Sequence, residues 1–273
     1  MPDGTLKLCH KMDSRMRLMD INGTALEVLS LPGPSERAPL VFLHEGLGSV
    51  ALWRNREGFW PEQLCQASGR AGVVYSRRGY GASEPIADVR GSQRLAADYM
   101  HREAWEVLPA LLQHLGIQHP VLIGHSDGGT IALLYAARHR VAGCAVMAPH
   151  VKVEPVSVQA IEAAREAYEK GDLRQRLARF HADVDSAFWQ WCDVWLSEAF
   201  SRFDIRDLCR DIQDPVLALQ GVEDAYGTLA QIEDIQPRGP IERVVVPHCG
   251  HSPHRDQRAQ VTQRLVEFLA RLN

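Results

Sequence analysis

The chain lacks the features that mark several broad classes of protein. Its 273 residues carry a formal net charge of −4 with no block of like charge, so nothing favours a nucleic-acid surface. No apolar run approaches the roughly 18 residues of a membrane helix, and residues 1–20 are charged where a signal peptide is apolar. We therefore expect a cytoplasmic protein that binds neither nucleic acid nor membrane.

Cysteine patterns are also absent. The six cysteines form no Cys-x-x-Cys pair and recur at no fixed spacing. This is typical of reduced thiols and excludes a recognisable disulfide framework or zinc motif. There is no internal repeat and no low-complexity segment, which excludes solenoid and fibrous architectures.

What the chain does contain is apolar runs that alternate with helical stretches. Hydrophobic residues make up 45% of the sequence, enough for one large domain with a sizeable core. The alternation predicts an α/β fold, with a mostly parallel eight-stranded sheet and helices on both faces. The predicted elements are a hairpin turning at Asn22-Gly23, strands at 40–43, 72–76, 121–123, 142–147, 216–220 and 241–246, and helices at 94–115 and 257–272.

Residues 151–212 break this alternation. They contain four helix-like pieces, at 157–170, 172–181, 186–200 and 205–210, and no convincing strand. The sequence therefore predicts a core domain made of residues 1–150 and 213–273, into which a helical segment of residues 151–212 is inserted.

The run GHSDGG at residues 124–129 lies between a strand-like and a helix-like segment. A Gly-x-Ser-x-Gly pattern in this context is typical of a nucleophile elbow, where the serine stands on a strained turn above a helix N-terminus. The alternative is a glycine-rich turn with a capping serine. We predict Ser126 to be a nucleophile.

A serine nucleophile needs a histidine base and a carboxylate that orients it, here expected later in the chain in the order Asp, His. Asp224 and His251 each follow an apolar strand-like run. Parallel strands end at one edge of a sheet, so we expect both side chains near Ser126. The competing candidates are Glu223 for the acid, and His248 and His254 for the base.

Two backbone N–H groups are expected to bind the oxyanion that forms when a serine attacks a carbonyl. One belongs to Asp127, after the nucleophile, and the other to the glycine-containing loop HEGLGS at residues 44–49. Together these motifs resemble the α/β-hydrolase family, whose loop at this position usually reads His-Gly. Here Glu45 replaces that glycine, and we favour Gly46 as the second donor, with Leu47 as the alternative.

The resemblance implies a helical cap over the site and a serine hydrolase that needs no metal or organic cofactor. The chain is most similar to small carboxylesterases and to carbon–carbon bond hydrolases of aromatic ring-fission products. The expected substrate is a small, largely apolar carboxylic ester, lactone or thioester, cleaved through an acyl-enzyme. Carbon–carbon bond cleavage and a non-enzymatic small-molecule receptor with an intact triad remain alternatives, and both a monomer and a homodimer remain open.

The substrate pocket is the least constrained prediction. An aromatic-rich stretch of the inserted segment either lines the pocket or packs into the segment's own core. Arg77 and Arg78 either meet a substrate carboxylate or stabilise the structure. The predicted pocket residues are Glu45, Leu47, Trp53, His150, Trp189 and Trp195.

Overall fold

The computed structural model describes residues 15–272. Eight strands form one sheet in the order β1-β2-β4-β3-β5-β6-β7-β8. Strand β2 is antiparallel to both of its neighbours, and all other neighbouring pairs are parallel, which confirms the predicted sheet. The strands of this sheet are β1 (Met16–Ile21), β2 (Thr24–Leu31), β3 (Leu40–Leu43), β4 (Gly72–Ser76), β5 (Val121–His125), β6 (Gly143–Met147), β7 (Val216–Gly221) and β8 (Ile241–Val246), and a separate short hairpin pairs Arg54–Asn55 with Gly58–Phe59.

Helices cover both faces of this sheet because its strands are apolar on both sides. In β3, Val41 and Leu43 belong to one hydrophobic cluster while Leu40 and Phe42 belong to a second, as expected when successive side chains point to opposite faces. Among residues 15–272, no helix is both long and apolar enough to span a bilayer. The helices are α1 (Trp60–Ser68), α2 (Tyr99–Arg102), α3 (Leu108–His114), α4 (Asp127–Ala136), α5 (Pro155–Lys170), α6 (Leu173–Leu177), α7 (Val184–Trp195), α8 (Arg206–Cys209), α9 (Ala230–Glu233), α10 (Pro253–Asp256) and α11 (Arg258–Ala270).

The opening hairpin turns where the sequence predicts it. Asn22 and Gly23 have φ angles of 54° and 80°, the left-handed pair that a two-residue hairpin turn of this twist requires. The five cysteines within the described residues are buried free thiols, as their spacing predicted, and Cys9 lies outside the described part of the chain.

The predicted helix at 94–115 begins too early. The structure starts the helix at Tyr99, continues it through a π-helical turn (Glu103–Val107) and ends it at His114. Pro109 follows this π-helical turn closely, where the regular α-helical hydrogen-bond ladder is already interrupted. The final helix is divided into α10 and α11, and the predicted apolar face of α11 is buried.

Between β6 and β7 the chain forms α5 to α8 and a short 3-10 turn (Phe200–Arg202), and none of these residues joins the sheet. Helix α6 is shorter than the predicted piece at 172–181. An isolated antiparallel β-bridge pairs Lys152, at the start of the segment, with Asp204.

Candidate active site

Ser126 occupies a strained turn between β5 and α4. Its φ of 53° and ψ of −120° lie outside the regions that non-glycine residues normally adopt. Its N–H donates to the carbonyl of Met147 at 2.9 Å. A Cβ on Gly124 would overlap the backbone of Gly128, and one on Gly128 would overlap the backbone of Leu43. Small residues on either side of the serine therefore permit the close packing that holds this turn.

The structure brings Ser126, His251 and Asp224 into one hydrogen-bonded chain. Nε2 of His251 lies 2.9 Å from Oγ of Ser126, and its Nδ1 lies 2.9 Å from both carboxylate oxygens of Asp224. The competing residues lie elsewhere: His248 and Glu223 contact each other on the surface, with side chains 87% and 65% exposed. His254 is buried against tryptophan rings.

Asp224 is held as an ionised carboxylate. Its side chain is fully buried, and it accepts hydrogen bonds from Nε2 of Gln220 and the N–H of Tyr226, each at 2.7 Å. Burial acts to raise its pKa, but the hydrogen bonds from His251 and Tyr226 outweigh burial, so the pKa lies below its usual value. The ionised carboxylate orients His251 with its proton on Nδ1 and leaves Nε2 free to face Ser126.

The N–H groups of Asp127 and Gly46 have no hydrogen-bond acceptor among residues 15–272. The loop that carries Gly46 is a turn closed by a 3.0 Å hydrogen bond from the N–H of Gly48 to the carbonyl of Glu45. Both N–H groups are thus available to a ligand.

Arg77 stabilises the loop that carries Gly46 through hydrogen bonds to its backbone. Its guanidinium donates to the carbonyls of His44 and Glu45 at 3.1 Å each, and its own N–H donates to the His44 ring at 3.0 Å. Arg78 pairs with Glu84 at 3.1 Å. These contacts favour the structural alternative for both arginines over contact with a substrate carboxylate.

The side chain of Asp127, which follows Ser126, is buried. Its Oδ2 accepts a 2.6 Å hydrogen bond from the hydroxyl of Tyr99, which in turn accepts one from the indole of Trp195 at 3.0 Å. Burial raises the pKa of Asp127, although Arg77 lies 3.7 Å away. These hydrogen bonds hold the start of α4, and Trp195 takes part in them through Tyr99.

A sequence model of the Alpha/beta hydrolase family matches residues 40–264. The chain belongs to this family. It is 26% identical to the dihydrolipoyllysine-residue acetyltransferase component of the acetoin cleaving system of Pseudomonas putida, over 92% of this chain and 68% of that protein. It is 30% identical to a bifunctional esterase/perhydrolase of Acinetobacter calcoaceticus, but over only 39% of this chain and 34% of that protein. The enol-lactonase of Burkholderia xenovorans LB400 has a similar structure, with a TM-score of 0.68 and 19% identity over 92% of this chain and 98% of that one.

In this α/β-hydrolase, Glu45 turns towards the loop of His251. Its carboxylate lies 3.4 Å from Nδ1 of His125 and 3.7 Å from the guanidinium of Arg255. Nε2 of His125 donates to the carbonyl of His251 at 2.6 Å. Burial acts to raise the pKa of Glu45, but His125 and Arg255 hold it well below its usual value. Glu45 therefore links the loop of Gly46 to the loop of His251.

We expect Glu45→Gln to lower the free energy of unfolding at pH 7 by about 1 kcal/mol, because His125 and Arg255 then lose the carboxylate beside them. A carboxylate with a lowered folded pKa stabilises the fold at high pH, and the stabilisation is lost as pH falls through that lowered value. In urea titrations, the difference in unfolding free energy from wild type should narrow as pH falls below the ordinary carboxyl pKa of 4.5. Glu36→Gln, at an exposed position, is the control, and a gap that ignores pH would contradict the assignment.

Two predicted pocket residues have rings that pack against other side chains. Trp53 was predicted at the pocket, but its buried ring stacks on Trp60 at 5.6 Å and packs against His254 at 4.9 Å. Trp189 packs against Phe188 and Tyr168, with the guanidinium of Arg90 3.8 Å above its ring. Both arrangements have the same cause, since a large ring is buried most completely by the apolar or cationic surface nearest to it. Leu47 stays at the loop, where its carbonyl accepts from Nε2 of His181 at 3.0 Å.

His150 does lie beside the hydrogen-bonded chain. Ala148, with a φ of 48°, turns the backbone after β6, and Thr130 Oγ1 exchanges hydrogen bonds of 2.8 and 2.9 Å with the backbone of His150. The His150 ring centre lies 5.7 Å from that of His251 and 4.8 Å from that of Trp195. Burial lowers the pKa of His150 to about 3, so its ring is neutral near pH 7.

Sequence reasoning did not select Trp191, which packs directly on the loop of Gly46. A Cβ on Gly46 would overlap the indole nitrogen of Trp191. Helical spacing is the signal that identifies it, because residues 188, 191 and 195 share one face of α7 while 189 lies off that face. The first three are at most 5% exposed.

Ser126 is 5% exposed. A cavity of about 480 Å³ lies nearby, next to Arg77 and Tyr99. Its lining includes none of the residues of the Ser126, His251 and Asp224 chain, so we do not assign it to the substrate.

Proposed function

We propose that this α/β-hydrolase is a serine hydrolase that cleaves a small, largely apolar carboxylic ester, lactone or thioester through an acyl-enzyme. The observation that carries the proposal is the pair of 2.9 Å contacts that join Ser126 Oγ to His251 and His251 to Asp224. A serine hydroxyl with an oriented imidazole within hydrogen-bonding reach is an activated nucleophile.

In the first step, Nε2 of His251 accepts the proton of Ser126 as Oγ attacks the substrate carbonyl. The new C–O bond moves an electron pair onto the carbonyl oxygen, which receives hydrogen bonds from the N–H groups of Asp127 and Gly46. Asp224 stabilises the imidazolium that forms. When the tetrahedral intermediate collapses and the C=O bond forms again, the bond to the leaving group breaks and His251 donates its proton to that group.

In the second step, water replaces the leaving group. His251 accepts a proton from water as its oxygen attacks the acyl carbon, and the same two N–H groups hold the oxyanion. The bond to Ser126 Oγ then breaks, Oγ recovers a proton from His251, and the carboxylic acid leaves. His251 accepts and donates every proton that is transferred in this cycle.

The relatives support an acyl-transfer reaction more than any one substrate. The P. putida relative is named as an acetyltransferase component and the A. calcoaceticus relative as an esterase/perhydrolase, and both names describe chemistry at an acyl group. The enol-lactonase shares the fold, but at 19% identity this similarity does not indicate the substrate.

We further propose that residues 151–212 act as a cap on a core made of residues 1–150 and 213–273. Two contacts from this segment to the loop of Gly46 support the proposal: the Trp191 indole packs on Gly46, and His181 bonds the carbonyl of Leu47. With Ser126 almost buried beneath it, such a cap limits the size of the acyl group.

Carbon–carbon bond cleavage has less support than ester cleavage. Cleavage of an acidic ring-fission product would be favoured if Arg77 or Arg78 could bind the carboxylate of that substrate. Arg77 instead donates to two carbonyls of its own chain, and Arg78 pairs with Glu84. No observation favours a receptor.

A substrate panel tests the proposal. Purified protein should turn over short-chain nitrophenyl esters, and lactones and thioesters of similar size should be compared with a ring-fission dienoate at equal concentration. Fast cleavage of the dienoate with negligible ester hydrolysis would replace the proposal with carbon–carbon bond hydrolysis. Tight binding without repeated turnover would indicate a receptor.

A further inference from the structure

Trp191 carries an indole N–H that has no hydrogen-bond acceptor among residues 15–272. The residue is only 5% exposed. A buried tryptophan normally finds a partner for this group, because leaving it unpaired costs free energy. Unlike Nε1 of Trp53, which is fully enclosed and unpaired, Nε1 of Trp191 keeps some solvent contact, so its N–H is open to an oxygen atom of a bound ligand.

The position of this N–H identifies the acceptor. The indole nitrogen lies against Gly46, so close that a Cβ there would overlap it. Gly46 carries one of the two free N–H groups of the proposed oxyanion site. A substrate oxygen held at that loop is therefore a candidate acceptor for Trp191.

The other tryptophans of α7 are used differently. The indole of Trp195 donates to Tyr99 at 3.0 Å. The ring of Trp189 packs under Arg90 and is partly exposed, and no contact joins it to the loop of Gly46. Only Trp191, among the three, combines burial, an unpaired N–H and contact with the loop of Gly46.

We propose that Trp191 is a third donor to the substrate's carbonyl oxygen, contributed by the inserted segment. This inference rests on the proposed serine hydrolase reaction. As the carbonyl becomes a tetrahedral oxyanion, its negative charge is shared by the N–H groups of Asp127, Gly46 and Trp191. The strongest hydrogen bond from Trp191 forms in the transition state, because charge on the oxygen is largest there.

The test is Trp191→Phe, which removes the N–H and keeps an aromatic ring in place. We expect kcat for a nitrophenyl ester to fall about 10- to 100-fold, the size of a hydrogen bond to a charged group, with KM changed less than threefold. Trp189→Phe, two residues along the same helix, is the matched control and should stay within twofold of wild type. Equal melting temperatures of Trp191→Phe and wild type show that the fold is intact.

Inhibitor binding separates a donor from a packing residue. A trifluoromethyl ketone adds to Ser126 and places an oxyanion at the site, whereas the corresponding alcohol cannot. Trp191→Phe should weaken binding of the ketone by the same factor by which it lowers kcat/KM, and it should leave binding of the alcohol unchanged. Equal weakening of both would overturn the inference in favour of packing, and higher activity in Trp191→Phe would overturn it in favour of a blocking side chain.

A measurement on the unsubstituted protein covers the case in which the variant fails to fold. In a crystal structure of the ketone adduct, Nε1 of Trp191 should lie within about 3.2 Å of the oxyanion. A longer distance overturns the inference. Wild type that hydrolyses no ester, lactone or thioester overturns the proposed function and the inference together, whereas unchanged activity in Trp191→Phe overturns the inference alone.

Discussion

Ser126→Ala should remove at least about a thousandfold of the ester hydrolysis rate, the loss expected when a nucleophile is deleted from a triad. The alanine has no oxygen to form the acyl bond, while the oxyanion donors remain and supply only residual catalysis. The measurement is kcat for a short-chain nitrophenyl ester, corrected for spontaneous hydrolysis.

Ser201→Ala is the matched control for this prediction. Ser201 is exposed, and its hydroxyl bonds only the carbonyl of Glu198 among the described residues. Its removal should leave kcat unchanged. Turnover in Ser126→Ala within tenfold of wild type would contradict an acyl-enzyme and would point to water attacking the substrate directly.

Asp224→Asn should lower kcat by about a thousandfold or more while the fold is retained. The carboxylate accepts from His251, Gln220 and Tyr226 at once. An amide has one acceptor oxygen, so its NH₂ must face one of these donors, and His251 loses the partner that fixes its tautomer and stabilises its charged form.

Glu223→Gln is the control for Asp224→Asn, because it removes the neighbouring carboxylate that the sequence offered as an alternative acid. Its side chain is 65% exposed and faces His248 on the surface. Activity should be unaffected. A large loss in Glu223→Gln, with Asp224→Asn active, would move the acid to Glu223.

The sequence was sufficient for the parts that local pattern determines. Strand-like runs ended at the residues that now line one edge of the sheet, and Gly-x-Ser-x-Gly between a strand and a helix predicted the strained φ of Ser126. The turn at Asn22 and Gly23 was equally local, since two residues with positive φ define it.

The pocket could not be predicted in the same way, because side-chain direction there depends on contacts between distant segments. Trp53 turns to Trp60 and His254, and Trp189 turns to Arg90. The orientation of Glu45 likewise depends on His125 and Arg255, which approach it only in the folded chain. Composition identified aromatic density in α7, but helical spacing was needed to separate Trp191 from Trp189.

The most direct test of the account is to identify the atom that an electrophile labels. We expect a fluorophosphonate to inactivate the protein with one adduct per chain and peptide mass spectrometry to locate it on Ser126, with no adduct in Ser126→Ala. Labelling of another residue at the same rate, or full activity in protein already modified at Ser126, would contradict the claim that this serine carries the acyl group.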